Sequence, residues 1–397
     1  MCSSTACAPV LTRFSRSADH YAGAVADDEL KLPDDLIPRD GRFGSGPSKV
    51  RDEAVAALAD AAHGYLGTSH RRPGVKNVVH QIREGLAELF ALPAGYEVVI
   101  GLGGSTTFWD AAAFGLIEQR SSHVVLGEFS SKFAAVATAA PFLDDAEVRE
   151  SEPGAVPRLI DAPVGDVYAY PHNETSTGVA IPVHRPTTGA LVVVDATSAA
   201  GALRVDPLAF DTYYFAPQKV FASEGGLWLA LFSPAALERV ERIKATGRWM
   251  PPTLDLSIAV ENTRLDQTYN TPALATLFLL DQQLQWMLDN GGLEFAAGRS
   301  DASADTVYTW ADKHPLATPF VADPEYRSHV TATIDFDASV DAGALASALR
   351  ANGVLDVEPY RKLGRNQLRI ALFPAIDPDD VEVLTHAIDF LVERVTH

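Results

Sequence analysis

The chain has 397 residues, enough for two or three domains with a sizeable buried core. Its formal net charge of −20 argues against binding to nucleic acid or to an anionic membrane, because both partners require basic surfaces. Hydrophobic residues make up 47% of the chain, but no run approaches the roughly 18 apolar residues that a membrane span needs.

The N-terminal segment carries the only two cysteines, Cys2 and Cys7. Two cysteines so close to one end cannot build a disulfide framework for the fold, so we expect a reduced, cytoplasmic setting. The apolar stretch APVL in this segment is too short for a secretory signal. We interpret residues 1–35 as a flexible tail, whose function the sequence leaves open.

Helix-like and strand-like segments alternate from about residue 36 to residue 290. Helical spacing of apolar residues is seen in PSKVRDEAVAALADAAHG, VKNVVHQIREGLAELFALP and TPALATLFLLDQQLQWMLDNGG. Short, continuous apolar runs lie among them: YEVVIGL, HVVLGE, DVYAYPH, LVVVDAT, TYYFAP and LWLALFS. Such runs are typical of strands buried on both faces, so residues 36–290 are predicted to form a large α/β domain with a mostly parallel sheet.

The remaining residues, 291–397, have a different pattern. A helix is expected over about 293–313, followed by the strand HVTATIDF and the helix DAGALASALRANG. The strand NQLRIALFP and a terminal helix complete the segment. This pattern predicts a smaller C-terminal α/β domain.

The segment GLGGST, residues 101–106, joins the first predicted strand to a helix. Glycines leave backbone N–H groups exposed there, the helix start attracts anions through its dipole, and Ser105 can cap the helix. No Gly-Lys-Ser/Thr follows, so the segment is not a P-loop, and it lacks the last glycine of the dinucleotide fingerprint. Alone, it fits a plain strand–helix turn as well as it fits a phosphate site.

Two charged residues follow neighbouring predicted strands. Asp195 ends the apolar run LVVV, and Lys219 lies 24 residues further on, just after the next strand. A capping aspartate and a surface lysine are the simplest interpretations of each residue alone. Because the carboxyl ends of adjacent parallel strands line one crevice, however, both side chains can face the same site.

Together, these three features suit pyridoxal 5′-phosphate. This cofactor needs a lysine for a Schiff base, a carboxylate on its pyridine nitrogen and a cradle for its phosphate. Lys219, Asp195 and the GLGGST turn offer one of each. A metal site is not expected, since the segment PHNE lacks a second histidine at metal-binding spacing.

Several motifs in order resemble those of the phosphoserine aminotransferase family of class-V pyridoxal-phosphate enzymes. They are FGSGPSKV, GTSHRRPG, HNETSTGV, VDATSA, APQKVFASEGGL and YNTPA. The resemblance runs from about Arg42 to the C-terminus and looks nearest to actinobacterial members. It implies the aspartate-aminotransferase fold (fold type I), a mostly parallel large domain with a smaller C-terminal domain, and a homodimer with shared active sites.

The resemblance also implies roles at the cofactor. Lys219 matches the Schiff-base lysine, and Asp195 matches the aspartate on the pyridine nitrogen. Thr175 matches a threonine that bonds the ring hydroxyl, and Phe129 falls where the family places an aromatic ring stacked on the cofactor. Gln218 matches a ligand of the cofactor phosphate.

The phosphate loop departs from the family pattern. Gly104, Ser105 and Thr106 stand where many members have Gly-Arg, so one charge-assisted bond to the cofactor phosphate is replaced by hydroxyl groups. Asn270 and Thr271 match residues that reach this phosphate from the neighbouring subunit.

For the substrate, the resemblance implies an arginine for the α-carboxylate and a His/Arg set for a phosphate group. Arg369 matches the first, a task that suits a planar guanidinium. His70, Arg71 and Arg361 match the second, while the spacing around Arg365 differs from the family and leaves its role open.

The implied reaction is reversible: O-phospho-L-serine and 2-oxoglutarate give 3-phosphohydroxypyruvate and L-glutamate, in serine and possible vitamin B6 biosynthesis. Another class-V enzyme, such as an alanine–glyoxylate aminotransferase, stays open as an alternative. A cysteine desulfurase is disfavoured because no cysteine follows Cys7. A non-catalytic phosphate-binding protein is the alternative from a different class.

Overall fold

The structure is a computed structural model that describes residues 30–395. Both cysteines and most of the expected N-terminal tail (1–35) lie outside the described residues. The last part of that segment is packed, because Leu32 is buried and its N–H donates to Asn352 Oδ1 at 2.9 Å.

A seven-stranded sheet forms the centre of the molecule. Its strands, in chain order, are β1 (Glu97–Gly103), β2 (Ser121–Val125), β3 (Glu147–Glu150), β4 (Val167–Pro171), β7 (Leu191–Asp195), β8 (Thr212–Phe215) and β9 (Gly226–Phe232). A short hairpin, β5 (Asn173–Glu174) and β6 (Val179–Ala180), follows β4. The spatial order in the large sheet is β1-β9-β8-β7-β4-β2-β3.

The predicted mostly parallel sheet is confirmed. Strands β8, β7, β4, β2 and β3 pair in parallel, whereas β9 is antiparallel to both β8 and β1. Strand β1 therefore runs in the same direction as the parallel set. The carboxyl ends of β1, β4, β7 and β8 consequently lie at one edge of the sheet, which we call the carboxyl edge.

The continuous apolar runs are explained by burial on both faces. In β7, Val192 and Val194 join one hydrophobic cluster, while Leu191 and Val193 join the cluster on the opposite face. Successive side chains of a strand point to opposite faces, so both faces must be apolar when helices cover both.

Ten helices cover and extend the sheet within residues 30–395. They are α1 (Asp52–Tyr65), α2 (Pro73–Leu89), α3 (Ser105–Gly115), α4 (Glu128–Ala139), α5 (Pro234–Ala245), α6 (Leu256–Arg264), α7 (Leu274–Asp289), α8 (Gly292–Lys313), α9 (Ala342–Ala351) and α10 (Pro378–Val395). Helices α2 and α7 contribute to the first cluster, and α3, α5 and α6 to the second.

A second sheet lies in the C-terminal part of the chain. It is antiparallel and has the order β10-β11-β12, with β10 (Ala317–Pro319), β11 (Thr331–Phe336) and β12 (Gln367–Ala371). Helices α8, α9 and α10 pack with it in a separate hydrophobic cluster. Strand β12 is the element that carries Arg369 toward the large sheet.

In the described part of the chain, no helix combines the length and the apolar character needed to cross a membrane.

Candidate active site

A cavity of about 420 Å³ opens at the carboxyl edge of the large sheet. Ends of parallel strands are where α/β sheets place ligands, because the loops that follow leave a crevice there. Eight of the residues singled out in the sequence line this cavity: Gly104, Ser105, Thr106, Phe129, Thr175, Asp195, Gln218 and Lys219.

The amine of Lys219 is held inside the cavity. Its Nζ donates to the carbonyl oxygen of Ser45 at 2.8 Å and to Thr175 Oγ1 at 3.4 Å, and it lies 5.7 Å from the centroid of the Phe129 ring. Burial lowers the pKa of Lys219 to about 8, and the nearby Arg369 guanidinium adds to the effect. The site therefore increases the fraction of neutral, nucleophilic amine near neutral pH.

Asp195 lies at the end of β7 and is buried. Desolvation raises the pKa of this carboxyl, although Oδ1 accepts the N–H of Thr197 at 2.9 Å. A buried carboxylate is costly unless a cation or donor faces it. The position thus suits a positively charged group in the cavity.

Two aromatic residues support Asp195, and the sequence did not reveal them. The Tyr214 hydroxyl lowers the pKa of the Asp195 carboxyl, against the larger effect of burial, and it accepts the indole N–H of Trp109 at 2.9 Å. Tyr214 comes from β8 and Trp109 from α3, so their meeting depends on the packing of a helix on the sheet. The only indication of this pair in the sequence is that Tyr214 and Trp109 each carry a polar group on an aromatic ring within an otherwise apolar segment.

The phosphate-loop turn has the predicted position but not the predicted cap. Helix α3 begins at Ser105 and Gly104 is the capping residue, so the prediction that Ser105 caps this helix is wrong by one position. The Ser105 hydroxyl instead hydrogen-bonds Thr197 Oγ1 at 2.6 Å. Gly104 has φ 131°, a conformation that favours glycine, and this turn directs the start of the helix into the cavity.

Polar atoms around the cavity lack partners among the described residues. They are Gln218 Oε1, Asn173 Oδ1 and Arg369 Nε, all buried. The first N–H groups of α3 also have no partner within the helix. Buried polar groups are normally satisfied, so these atoms indicate a polar ligand. A phosphate at α3, a cationic ring atom at Asp195 and an aldehyde at Lys219 would fit this donor and acceptor set.

Arg369 lies at the rim of this cavity. Its Nη1 donates to the carbonyl oxygen of Thr175 at 3.4 Å, and its guanidinium lies 5.4 Å from the centroid of the Tyr360 ring. Burial lowers the pKa of Arg369. Tyr360 also makes an edge contact with Phe129, with ring centroids 5.9 Å apart.

The other two arginines of this region differ. Arg361 is exposed at the start of a short 3-10 helix. Arg365, whose role the sequence left open, hydrogen-bonds Asp335 through Nε at 3.1 Å and lies 4.4 Å from the Phe320 ring centroid. Arg365 is thus engaged away from the cavity.

Six predicted site residues do not line the cavity: Arg361, Arg369, His70, Arg71, Asn270 and Thr271. The last four lie in two loops that we call the outer loops, residues 68–72 and 267–271. Arg71 Nη1 donates to Gln267 Oε1 at 3.3 Å, so the outer loops are neighbours. His70 is buried with Nε2 unpartnered among the described residues, and burial lowers its pKa, followed in size by the charge of Arg71.

Comparison with known proteins defines the class. The chain belongs to the class-V aminotransferase family, which it matches over residues 43–355. Membership of this family makes the protein a transaminase. It also implies pyridoxal phosphate as the cofactor, and the residues that line the cavity suit this cofactor. The alternative of a non-catalytic phosphate-binding protein is thereby set aside.

Relatives narrow the class further. A Rhodococcus jostii protein named phosphoserine aminotransferase is 57% identical over 366 residues, which is 92% of this chain and 98% of the relative. A Mycobacterium leprae protein, provisionally given the same name, is 60% identical over 368 residues, or 92% of this chain and 98% of the relative.

Solved structures share the fold. The phosphoserine aminotransferase of Cytophaga hutchinsonii has a TM-score of 0.81 at 24% identity, over 88% of this chain and 99% of that one. The enzyme of Trichomonas vaginalis, solved with pyridoxal phosphate bound, has a TM-score of 0.77 at 20% identity, over 88% of this chain and 100% of that one. The aspartate-aminotransferase-like fold predicted from the sequence is therefore confirmed.

Proposed function

We propose that this transaminase interconverts O-phospho-L-serine plus 2-oxoglutarate with 3-phosphohydroxypyruvate plus L-glutamate, in the cytoplasm and as a step of serine biosynthesis. The observation that carries the proposal is the placement of the Lys219 amine and the buried Asp195 carboxylate on one cavity beside the start of α3. Relatives at 57–60% identity that bear the phosphoserine aminotransferase name support the choice of substrate.

The cofactor's place follows from the groups that line the cavity. When bound, pyridoxal phosphate supplies an electron sink for the pair released as the substrate Cα–H bond breaks. The start of α3 and Gln218 would hold its phosphate, and Asp195 would hold its ring nitrogen protonated. Phe129 would cover one face of the ring, and Thr175 would bond its hydroxyl.

Lys219 has two tasks in this proposal. Its Nζ would hold the cofactor in the resting enzyme, and the freed amine would take the proton from the substrate Cα. A lysine is an effective base only when a useful fraction is neutral near the working pH. Burial, which lowers the pKa of Lys219 to about 8, provides that fraction.

Substrate anions would be bound by the arginines. Arg369, fixed at the rim by Thr175, is placed to receive the α-carboxylate, since a guanidinium can bond both oxygens of a carboxylate. Arg361, His70 and Arg71 are proposed for the substrate phosphate. The outer loops do not reach the cavity of their own chain, so we assign them, with Asn270 and Thr271, to the site of a second copy in a homodimer.

A half-reaction tests the choice of substrate. The purified, cofactor-loaded enzyme is mixed separately with O-phospho-L-serine, L-serine, L-alanine and L-glutamate, and the visible absorbance of the bound cofactor is followed. The rate at which this absorbance is lost, per unit concentration of amino acid, is expected to be at least about 100-fold higher with phosphoserine and glutamate than with serine or alanine. Only phosphoserine and glutamate carry a second anionic group that the site can bind.

Comparable rates with serine and phosphoserine would contradict the proposal. A preference for alanine would favour the alanine–glyoxylate class instead. Phosphorylated hydroxythreonine, run as a further substrate, tests a second role in vitamin B6 synthesis.

A further inference from the structure

Glu174 is a buried carboxylate that the proposed reaction does not use. It is 1% exposed, precedes Thr175 in the chain and lines the active-site cavity. Oε2 accepts the backbone N–H of Ser130 at 3.0 Å and the Ser130 hydroxyl at 2.9 Å. Oε1 accepts the Ser176 hydroxyl at 2.7 Å and lies at the limit of bonding to the N–H groups of Ser176 (3.3 Å) and Phe129 (3.4 Å).

These partners are all N–H and O–H donors without charge. A carboxylate only accepts, so it complements such a set, whereas the amide of a glutamine would turn an NH₂ group toward donors. Three of the five donors belong to Phe129 and Ser130 in the first turn of α4, where the helix dipole favours a negative charge. The arrangement is therefore specific for an acidic side chain.

The close approach of Glu174 to this helix also restricts residue 127. A Cβ atom at Gly127 would lie 2.4 Å from Ser176 Oγ and 2.8 Å from Glu174 Cγ, which is too close for any side chain. The glycine before α4 is thus explained by the contact between Glu174 and the helix.

Glu174 joins two walls of the cavity. One wall is the start of α4, which carries the Phe129 ring toward Lys219. The other is the turn after β5, where Thr175 bonds the Lys219 amine through its hydroxyl and Arg369 through its carbonyl oxygen. The Glu174 carboxylate therefore helps to fix the distance between the aromatic wall and the threonine, together with the Ser176 hydroxyl, which accepts the Glu128 N–H at 3.0 Å.

We propose that Glu174 is a positioning residue, which locks Phe129 and Thr175 around the cofactor ring and places a negative charge beside the Lys219 amine. This inference rests on the proposed cofactor site but not on the identity of the amino-acid substrate.

The electrostatic part has a defined direction. Desolvation is the largest influence on the pKa of Lys219 and lowers it. Of the three charged groups nearby, Arg369 also lowers this pKa, whereas Asp195 and Glu174 raise it. Removing the charge of Glu174 should therefore lower the pKa of Lys219 further.

Two substitutions separate charge from geometry. Glu174→Gln keeps the length and removes the charge, while Glu174→Asp keeps the charge and shortens the side chain by one methylene. The pH midpoint for acylation of Lys219 is measured in the cofactor-free full chain by mass spectrometry, and the dissociation constant of pyridoxal phosphate by titration. Glu128→Gln is the control, because Glu128 lies on the same helical turn but pairs outward with Lys132 at 3.2 Å and with Lys362.

In Glu174→Gln, the midpoint for Lys219 is expected to fall by about half a unit to one unit. Glu174→Asp should keep the wild-type midpoint. Both variants should bind the cofactor roughly tenfold more weakly, because the two walls are no longer fixed. Glu128→Gln should change neither quantity.

A wild-type midpoint and a wild-type cofactor affinity in Glu174→Gln would overturn the proposal and leave Glu174 as a plain helix cap. If Glu174→Gln does not fold, an unchanged cofactor affinity in Glu174→Asp overturns it. Neither readout uses phosphoserine, so a wrong substrate assignment cannot mimic either result.

Discussion

The carboxyl edge of the large sheet and the outer loops differ in how much of a site one chain can build. At the carboxyl edge, Asp195, Lys219 and Thr175 converge from separate elements on one cavity, and unpartnered polar atoms face inward. In the outer loops, His70 and Asn270 lie outside that cavity, although their loops touch each other through Arg71 and Gln267.

The difference indicates which tasks need a second copy of the chain. Strand ends are rigid, and helices on both faces fix them, so they can hold a cofactor within one chain. Loops that extend to the surface can complete a neighbouring site at little cost to their own fold. We therefore expect substitutions at the carboxyl edge to affect chemistry and those in the outer loops to affect substrate binding and assembly.

The largest effect is expected for Lys219→Ala. Loss of the general base alone should lower the turnover rate by about 10²–10⁴-fold, and loss of the covalent link to the cofactor adds to this. Steady-state assay of the folded variant checks it. Lys244→Ala is the control, because Lys244 lies on α5, pairs with Glu261 at 3.1 Å and does not line the cavity. Retained transamination in Lys219→Ala would contradict the assignment.

Asp195→Asn should lower turnover by about 100-fold or more but stabilise the cofactor-free protein at neutral pH. Burial raises the pKa of Asp195 above its unfolded value, so this group favours folding at acidic pH and loses that contribution as the pH rises through the folded pKa. An asparagine at position 195 does not titrate, so its contribution to stability does not depend on pH.

Thermal melting of the cofactor-free wild type and of cofactor-free Asp195→Asn at several pH values measures this difference in stability. The stability advantage of Asp195→Asn should shrink toward acidic pH, and the cofactor should stabilise the wild type more than the variant. A variant that is less stable at neutral pH would show that Asp195 is satisfied without a ligand.

Arg369→Lys should lower kcat/KM by roughly 10- to 100-fold for both amino donors, because a bidentate bond to the α-carboxylate is lost. Arg365→Lys is the matched control, since Arg365 pairs with Asp335 away from the cavity and should change the rate little. Equal losses in the two variants would indicate a general disturbance of β12 and its surroundings.

The smallest effects are expected in the outer loops. Arg71→Lys should raise KM about tenfold for phosphoserine and leave KM for glutamate nearly unchanged, because only the first carries a phosphate. Asn270→Ala should weaken cofactor binding by a similar factor. Sedimentation of the wild type should show a dimer, and a fully active monomer would remove the reason for assigning these loops to a neighbouring site.

The fold and the centre of the site could largely be predicted from the sequence, because local patterns determine them. The run LVVVD marks a strand buried on both faces, and a polar residue at its end can face only the carboxyl edge. The antiparallel direction of β9 was not predictable, since a buried strand has the same apolar pattern in either direction.

Residues that act through tertiary contacts could not be identified from the sequence either. Glu174 gains its meaning only when α4 packs beside the turn after β5, 44 positions from Ser130 in the chain. The support of Asp195 by Tyr214 and Trp109 likewise depends on how α3 lies on the sheet. The division into domains at residue 291 and the roles of the individual site residues stay predictions.

Reductive trapping tests the central role of Lys219 most directly. The wild-type enzyme is loaded with pyridoxal phosphate, reduced with borohydride and digested, and the peptides are analysed by mass spectrometry. The cofactor mass is predicted on one peptide, which contains APQKVFASEGG, with Lys219 as the modified residue. A cofactor on another lysine, or none on any peptide, would contradict the assignment.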